Sequence, residues 1–540
     1  MEIYLIQKTS KAAYSTIITL RQKGIVPCGD HDSVIPFLGT QSWVRSLNFP
    51  IVNEWRAWHL DGQSAGFTIT YTNNMTFATI KSQKTRKRIQ PALFRSEDSV
   101  RSIKYVSVEE ENGAELFYYF IESEGDPRRD PVLLWLTGGD RCSVLSGLFF
   151  EIGPLKFVVE PYNEGSIPRL RYHPYSWAKF ASILFVIRRS VPGSPSPGTP
   201  KAMMLEMCLL LCSSESFSQG TTPVAIFVGI SALQRTPAAY IHSAWFTEHQ
   251  DYLANPFYVG GDSIAARIVP FLALKISEDI EAGRRPTINL KGYLVGNPRT
   301  GEGIDFGSRV PFLHGMGIIS DQLYELSTKM PQYDFDRSQD DNGPLPRGRS
   351  YEPQECALRT TYGQLREENA EAHILYKRCI YVSSRPNVDT TERKVLMEET
   401  RVLKHLPPRP EMDCHSYAYY LSYFWANNNF TWETLGIKKG SIDEWVRCHN
   451  GDLPYSDDIK SSIEHHRNIT TKGYRALVYS GDHDSVIPFL GTQSWVRSLD
   501  FPIVDEWRAW HLDGQSAGFT ITYTNNMTFA TVKGGGHTAP

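Results

Sequence analysis

The stretch FYVGGDSIAARIVP, residues 257–270, joins an apolar run to a helix-like pattern through two glycines and a serine. The run ending at Gly260-Gly261 predicts a buried strand, and IAARIVPFLALKISEDIEAG predicts the helix after it. Between them Gly261-Asp262-Ser263-Ile264-Ala265 has the spacing G-x-S-x-A. A serine on a tight, strained strand-to-helix turn needs small residues two positions to either side, because bulk there collides with the adjoining strand and helix. The helix also aims backbone N–H groups at an incoming oxyanion. The pentapeptide alone is a weak signal, since most occurrences are ordinary loops. Its place between strand and helix makes Ser263 a candidate nucleophile.

A serine nucleophile needs a base, and the base needs an orienting acid. When the serine sits on such an elbow, the acid and then the histidine follow it along the chain, on loops after late strands. YRALVYSGDHDSVIP (474–488) supplies a strand followed by Gly481-Asp482-His483-Asp484. FATVKGGGHTAP (529–540) supplies His537 behind three glycines, which free the backbone to swing the imidazole toward the serine. The reading is Ser263 as nucleophile, His537 as general base and then acid, and Asp484 as holder of the imidazole tautomer. Asp482 stays open as an alternative acid, and His483 reads as a loop or supporting group. The oxyanion site requires an N–H from the loop after an early strand, and WLTGGDRCS (135–143) offers Gly139 to pair with Ile264. An ordinary strand-to-helix turn is the bland alternative there.

Working outward, PVLLWLTGG (131–139), ASILFVI (181–187), NPFYVGG (255–261), NLKGYLVGNP (289–298) and YRALVYSGD (474–482) are short apolar runs that end in or lead to turns. Alternating with helical patterns, they predict an α/β fold with a mostly parallel sheet. Residues 300–415 are charged and helix-like and read as a cap inserted into the core. Residues 187–242 have no clear period and are too long for an ordinary loop in a compact core. With 540 residues, 41% of them hydrophobic, the chain can bury a large core rather than remain disordered. A net charge of −3 without a basic face argues against nucleic acid as a partner. No apolar run reaches the length of a membrane span. The eight cysteines lack paired C-x-x-C spacing, so no metal is expected, and nothing calls for a cofactor. Sequons at Asn429, Asn468 and Asn526 favour an oxidising, secretory compartment, whereas the first residues show no signal-peptide pattern.

One long block occurs twice. Residues 29–81 match 481–533 except at Asn48/Asp500, Asn53/Asp505 and Ile80/Val532. The first copy turns into SQKTRKRIQ where the second continues into GGGHTAP, and it has no serine block of its own. Residues 1–96 therefore read as a partial duplicate rather than an independent domain, and 97–540 as the main domain.

These blocks resemble the plant serine carboxypeptidase-like family of α/β-hydrolases. WLTGGDRCSVLSGLFFEIGP is similar to that family's first block, and WFTEHQDYLANPFYVGGDSIA to the block around its catalytic serine. GYLVGNP, ALVYSGDHDSVIPFLGTQSWV and KGGGHTAP complete the set over most of residues 100–181 and 244–540. The resemblance implies an α/β-hydrolase fold with the triad Ser263, Asp484 and His537, and the oxyanion pair Gly139 and Ile264. It implies a Cys142–Cys448 disulfide and a secreted or vacuolar glycoprotein, and some members are cut within the insertion matching residues 350–410. It also implies substrate contacts at Thr137, Gly138, Glu151 and Asp262, for a peptide C-terminus or a small-molecule acyl ester. Peptidases of the family carry Asn and Glu where Thr137 and Asp262 stand here; acyltransferase-like members, which use glucose esters, carry Thr and Asp.

The departures are local. Asp140-Arg141 replaces Pro-Gly beside the oxyanion site, Ile264 replaces Tyr, and Ala266 replaces Gly. Residues 187–242 do not match the family and look frameshifted or intron-derived. The repeat is then read as a fused tandem duplicate, and a catalytically inactive product of a damaged duplicate is the alternative. A decoy role, with the first copy docking on the core, is disfavoured because copied strands without their sheet lack partners for their backbone groups.

Overall fold

The structure is a computed structural model that describes residues 25–29, 37–60, 63–72, 75–80, 102–109, 114–139, 142–163, 165–189, 244–329, 379, 406–435, 437, 444–448 and 459–538. The atypical segment beyond Arg189, Asp140-Arg141 and most of the cap lie outside those residues.

The first copy supplies β1 (Ile25–Gly29), α1 (Phe37–Ser46), β2 (Ile51–Leu60), β3 (Gln63–Tyr71) and β4 (Thr76–Ile80). There follow β5 (Ser102–Glu109), β6 (Ala114–Ile121), β7 (Val132–Leu136), β8 (Leu155–Phe157), β9 (Leu170–Tyr172), β10 (Ser182–Arg189) and β11 (Phe257–Asp262). Next come α2 (Ile268–Glu281), β12 (Leu290–Gly296), α3 (Arg309–Gly315), α4 (Asp321–Lys329), α5 (Tyr417–Ala426) and α6 (Ile463–Thr471). The second copy supplies β13 (Arg475–Gly481), α7 (Phe489–Ser498), β14 (Ile503–Leu512), β15 (Gln515–Tyr523) and β16 (Met527–Val532). Two compact units form, one from 1–90 with 306–378, the other from 91–305 with 379–540.

The larger unit is built on a ten-stranded sheet ordered β14-β15-β16-β13-β12-β11-β7-β10-β6-β5. Pairing is parallel from β10 through β7, β11, β12 and β13 to β16, and antiparallel at both margins. The five strands read from the sequence lie in that parallel centre. Their unbroken apolar character follows from having both faces covered. On β7, Val132, Leu134 and Leu136 join a core with Val269, Leu272, Ala273 and Ile276 of α2. Leu133 and Trp135 point the other way, into a core with Tyr417, Tyr420, Leu421 and Phe424 of α5. β10 splits likewise, Leu184 and Val186 to one side and Ile183 and Phe185 to the other. The period of two in strand geometry sorts one apolar run into two cores. The β14–β15 hairpin closes through Asp513 and Gly514, both at positive φ, as a tight two-residue hairpin turn requires.

In the smaller unit the first copy makes a four-stranded sheet, β1-β4-β3-β2, over Val44, Ile69, Tyr71 and Phe77. Its register repeats the second copy: Thr68 faces Ala78 as Thr520 faces Ala530, and Gly29 faces Ile80 as Gly481 faces Val532. This overturns the argument that the copied strands lack backbone partners, because the duplicated block carries enough consecutive strands to pair among themselves. One side chain does lose its setting. Trp495 on α7 is 1% exposed and packs on His466 of α6, whereas its counterpart Trp43 is 53% exposed.

Candidate active site

β11 runs straight into Ser263, whose φ of 51° lies in the left-handed region that costs a non-glycine residue about 1–2 kcal/mol. The glycines before it make that turn possible. A Cβ on Gly261 would lie 2.6 Å from the Leu136 carbonyl oxygen, and one on Gly260 would lie 2.9 Å from Leu133 Cδ1. Two residues beyond the serine, Ala265 is 1% exposed, so the G-x-S-x-A spacing is a packing requirement on both sides. The first turn after Ser263, residues 263–267, is a 3₁₀ turn that leads into α2. The Ser263 carbonyl accepts the Arg299 N–H at 3.0 Å, which ties the elbow to the loop after β12.

Ser263, His537 and Asp484 meet although they come from three separate loops. His537 Nε2 lies 2.8 Å from Ser263 Oγ, and His537 Nδ1 lies 2.9 Å from Asp484 Oδ2. Asp484 is fully buried and takes two further donors, Val486 N–H at 2.8 Å and Asn297 Nδ2 at 2.7 Å. Asp482 is turned elsewhere: its Oδ1 accepts the Gly534 N–H at 2.6 Å and lies 2.5 Å from His483 Nδ1. Of the two aspartates, Asp484 is therefore the one in contact with His537. Gly481 is needed because the chain returning to His537 passes against it; a Cβ there would sit 2.3 Å from the Gly536 carbonyl oxygen.

Asn297 was quoted in GYLVGNP but given no role. It is fully buried with φ 42°, and its amide also donates to Ser480 Oγ at 3.3 Å. It donates to the same Asp484 oxygen, Oδ2, that contacts His537 Nδ1, and so helps hold the carboxylate in place. We expect Asn297→Ala to lower kcat by about tenfold to a hundredfold through misplacement of the acid, with little change in KM. Asn297→Gly keeps the left-handed backbone available and loses only the donor, so a similar fall there, with an unchanged melting temperature, assigns the effect to the side chain.

Gly139 has φ 87°, and a Cβ on it would lie 2.5 Å from Cys142 Sγ. The Cys142–Cys448 disulfide holds this loop, and Ser143 N–H donates to the Arg447 carbonyl at 2.7 Å beside it. A second disulfide joins Cys379 to Cys414. Gly138 lies against the serine turn. Its N–H donates to Asp262 Oδ1 at 2.6 Å, and a Cβ on it would lie 2.8 Å from Ser263 Cβ. What it provides in the structure is room for the serine and an anchor for Asp262.

Beneath the serine lie two buried carboxyls. Glu151 Oε2 accepts Trp135 Nε1 at 2.7 Å and the Thr137 hydroxyl at 3.4 Å. Burial, and then the charge of Asp262, raise Glu151 well above the usual carboxylate range, with the Trp135 bond pulling back. Burial pushes Asp262 up to about 6, against the opposing effects of His537 and the Gly138 N–H. A folded-state value raised above the unfolded one gives stability that is present at low pH and lost as pH climbs through about 6. Asp262→Asn keeps an acceptor for Gly138. We expect it to gain on the wild type by up to about 3 kcal/mol between pH 4 and pH 7, measured by urea unfolding.

The sequon residues Asn429, Asn468 and Asn526 are all exposed, and Asn526 Nδ2 donates to the Gly473 carbonyl at 2.9 Å. Among the described residues no cluster of side chains suited to hold a metal is found, and no helix is long and apolar enough to cross a membrane.

A parallel sheet covered by helices on both faces, with a serine on the strand-to-helix turn of β11, is an α/β-hydrolase fold. The serine carboxypeptidase family model (peptidase family S10) matches residues 4–83, 95–188 and 236–540, and the chain belongs to that family. Serine carboxypeptidase-like 19 of Arabidopsis thaliana is 38% identical over 441 residues, 81% of this chain and 86% of that protein. Serine carboxypeptidase-like 7 of the same plant is 37% identical over 80% of this chain and 85% of its own. In fold, the chain is similar to Kex1(delta)p, a prohormone-processing carboxypeptidase from Saccharomyces cerevisiae, with a TM-score of 0.55. That match covers 81% of this chain and 87% of the yeast chain at 16% identity.

Proposed function

We propose that the chain is a serine enzyme working through an acyl-Ser263 intermediate. The observation supporting this most directly is the continuous line from Ser263 to His537 to Asp484, at 2.8 and 2.9 Å. His537 Nε2 takes the proton as Ser263 Oγ attacks an ester or amide carbonyl. Asp484 stabilises the imidazolium at Nδ1, and the Gly139 and Ile264 N–H groups receive the developing oxyanion. His537 then returns its proton to the departing alcohol or amine. A water, alcohol or amine acceptor deacylates the serine by the reverse path.

Between family chemistries, we favour acyl transfer from a glucose ester. The support is Thr137, whose hydroxyl is directed to Glu151 rather than left as a donor for a substrate carboxylate. Peptidase action is the second reading, favoured by the raised pKa values of Glu151 and Asp262. Carboxyls that keep a proton can donate to a peptide's terminal carboxylate in mildly acidic solution. A secreted or vacuolar location is supported by the two disulfides and by the exposed sequons at Asn429 and Asn468.

The test begins with a fluorophosphonate probe on the recombinant chain, the adduct being located by peptide mass spectrometry. An adduct on Ser263 is expected. The labelling-competent protein is then given an aromatic acyl-glucose with an alcohol acceptor, and separately an N-blocked dipeptide, at about pH 5 and about pH 7. Acyl product from the glucose ester supports the first reading, and cleavage of the dipeptide alone replaces it with the second. A folded protein that takes no probe is the inactive product of a damaged duplicate.

A further inference from the structure

The β8–β9 hairpin of the larger unit carries different chemistry on its two faces. Its register pairs Leu155 with Tyr172, Lys156 with Arg171 and Phe157 with Leu170. The Val158 N–H donates to the Arg169 carbonyl at 2.9 Å and the His173 N–H to the Pro154 carbonyl at 2.7 Å, which extends the ladder one step each way. Side chains alternate along a strand and share a face across a pair, so Lys156, Arg169, Arg171 and His173 stand on one face. On the other, Leu155, Phe157 and Leu170 pack on the core around α5, and the Tyr172 hydroxyl and Lys179 share Glu124.

Of the four basic groups, Arg169 has an acid, being ion-paired with Glu160. Arg171 is exposed, and among the described residues neither its guanidinium nor the His173 ring has a hydrogen bond or ion pair. Lys156 is half-buried. Its ammonium has three N–H groups and, among the described residues, one acceptor, the Glu151 carbonyl at 3.4 Å. That distance is beyond the usual range of an N–H···O bond. Like charges directly opposite on a ladder are destabilising. Burial, opposed by Glu151 and aided by Arg171, pulls Lys156 down to about 8. Burial, and then the charges of Lys156 and Arg171, push His173 down to about 4. Glu151, itself raised well above the usual carboxylate range, brings Lys156 little negative charge. Tyr175, 70% exposed, stands edge-on to the His173 ring at 6.0 Å and bounds the face on that side. Two opposed cations with donors to spare are a local conflict that a bound anion resolves.

We propose that the hairpin face formed by Lys156, Arg171 and His173 is a binding site for a compact, doubly charged oxyanion, a phosphate or a small dicarboxylate. Arg171 supplies a planar fork for two oxygens, Lys156 a point charge from the facing strand, and His173 a ring N–H. The inference does not depend on the acyl-enzyme reading.

Calorimetric titration of the full-length chain with sodium phosphate, at neutral pH and an ionic strength fixed with chloride, tests it. One saturable site is expected. Lys156→Met keeps the apolar stem and removes the charge, and Arg171→Gln removes the fork. Each is expected to weaken binding by about tenfold or more, and the double variant to abolish it. Arg169→Gln, on the same face but already paired with Glu160, should bind within about twofold of the wild type. In chloride alone Lys156→Met is expected to melt above the wild type, because the opposed charge is gone, and phosphate should narrow that gap by stabilising only the wild type. Arg171 is exposed, so Arg171→Gln carries the test even where Lys156→Met unsettles the hairpin. Malonate that displaces phosphate marks a site open to dicarboxylates; phosphate that malonate leaves in place marks inorganic phosphate as the occupant. A wild type that takes up no phosphate overturns the proposal, and so does phosphate binding that survives in the double variant.

Discussion

Ser263→Ala is expected to abolish fluorophosphonate labelling and to lower turnover of any ester or peptide substrate by about 10⁶-fold. The size follows from the serine acting as one unit with its neighbours. Without Oγ no acyl intermediate can form, and the 2.8 Å contact to His537 Nε2 has nothing to deprotonate. What remains is binding and oxyanion stabilisation of a direct attack by water. The substitution removes one hydroxyl and leaves the backbone turn as it was, so stability should shift by only about 1 kcal/mol. A folded, inactive Ser263→Ala protein with unchanged melting behaviour is the expected result. A variant retaining a large share of wild-type turnover would show that Ser263 is not the nucleophile.

Asp484→Asn is expected to lower kcat by about 10⁴-fold, the next largest effect. Three donors converge on this carboxylate: His537 Nδ1, Asn297 Nδ2 and the Val486 N–H. An amide in the same place must turn an NH₂ toward one of them. If it faces His537, the ring is driven to the tautomer that carries its proton on Nε2, and it can no longer accept from Ser263. The loss should appear in kcat and in the rate of probe labelling, with KM nearly unchanged. Asp482→Asn is the control, and a change within about tenfold is expected, since the partners of Asp482 are His483 and the Gly534 N–H. Comparable losses in both variants would reopen the choice of acid.

The parts of the fold legible in the sequence are those where one physical constraint dominates. The centre of the sheet is buried on both faces, so β7, β10, β11, β12 and β13 are plain apolar runs. The elbow is legible because steric crowding forces glycine at 261 and alanine at 265. The margins were harder to read. β14, IVDEWRAWHL, leaves Val504, Trp507 and Leu512 exposed, so its composition does not announce a strand with a covered face. Asn297 carried no local signal, because its partner Asp484 is 187 residues away and only the fold brings the two together. Gly138 was expected to meet substrate, and the hydrogen bond that takes its N–H to Asp262 is likewise a product of tertiary packing. The pairing within the first copy was missed for a different reason. It depends on how many neighbouring strands the duplicated block includes, a property of the block as a whole rather than of any residue in it.

The Cys142–Cys448 bridge spans 306 residues and encloses Ser263, while Asp484 and His537 lie beyond it. In the chain-entropy account so long a closed loop is stabilising by about 6 kcal/mol. With the Cys379–Cys414 bridge nested inside it, the covalent graph of the protein is a ring within a ring carrying two tails, rather than a string. A single backbone scission anywhere between those cysteines opens the ring without separating the pieces. Where the cut falls between Ser263 and Cys448, the fragment bearing the nucleophile and the fragment bearing the acid and base stay parts of one molecule.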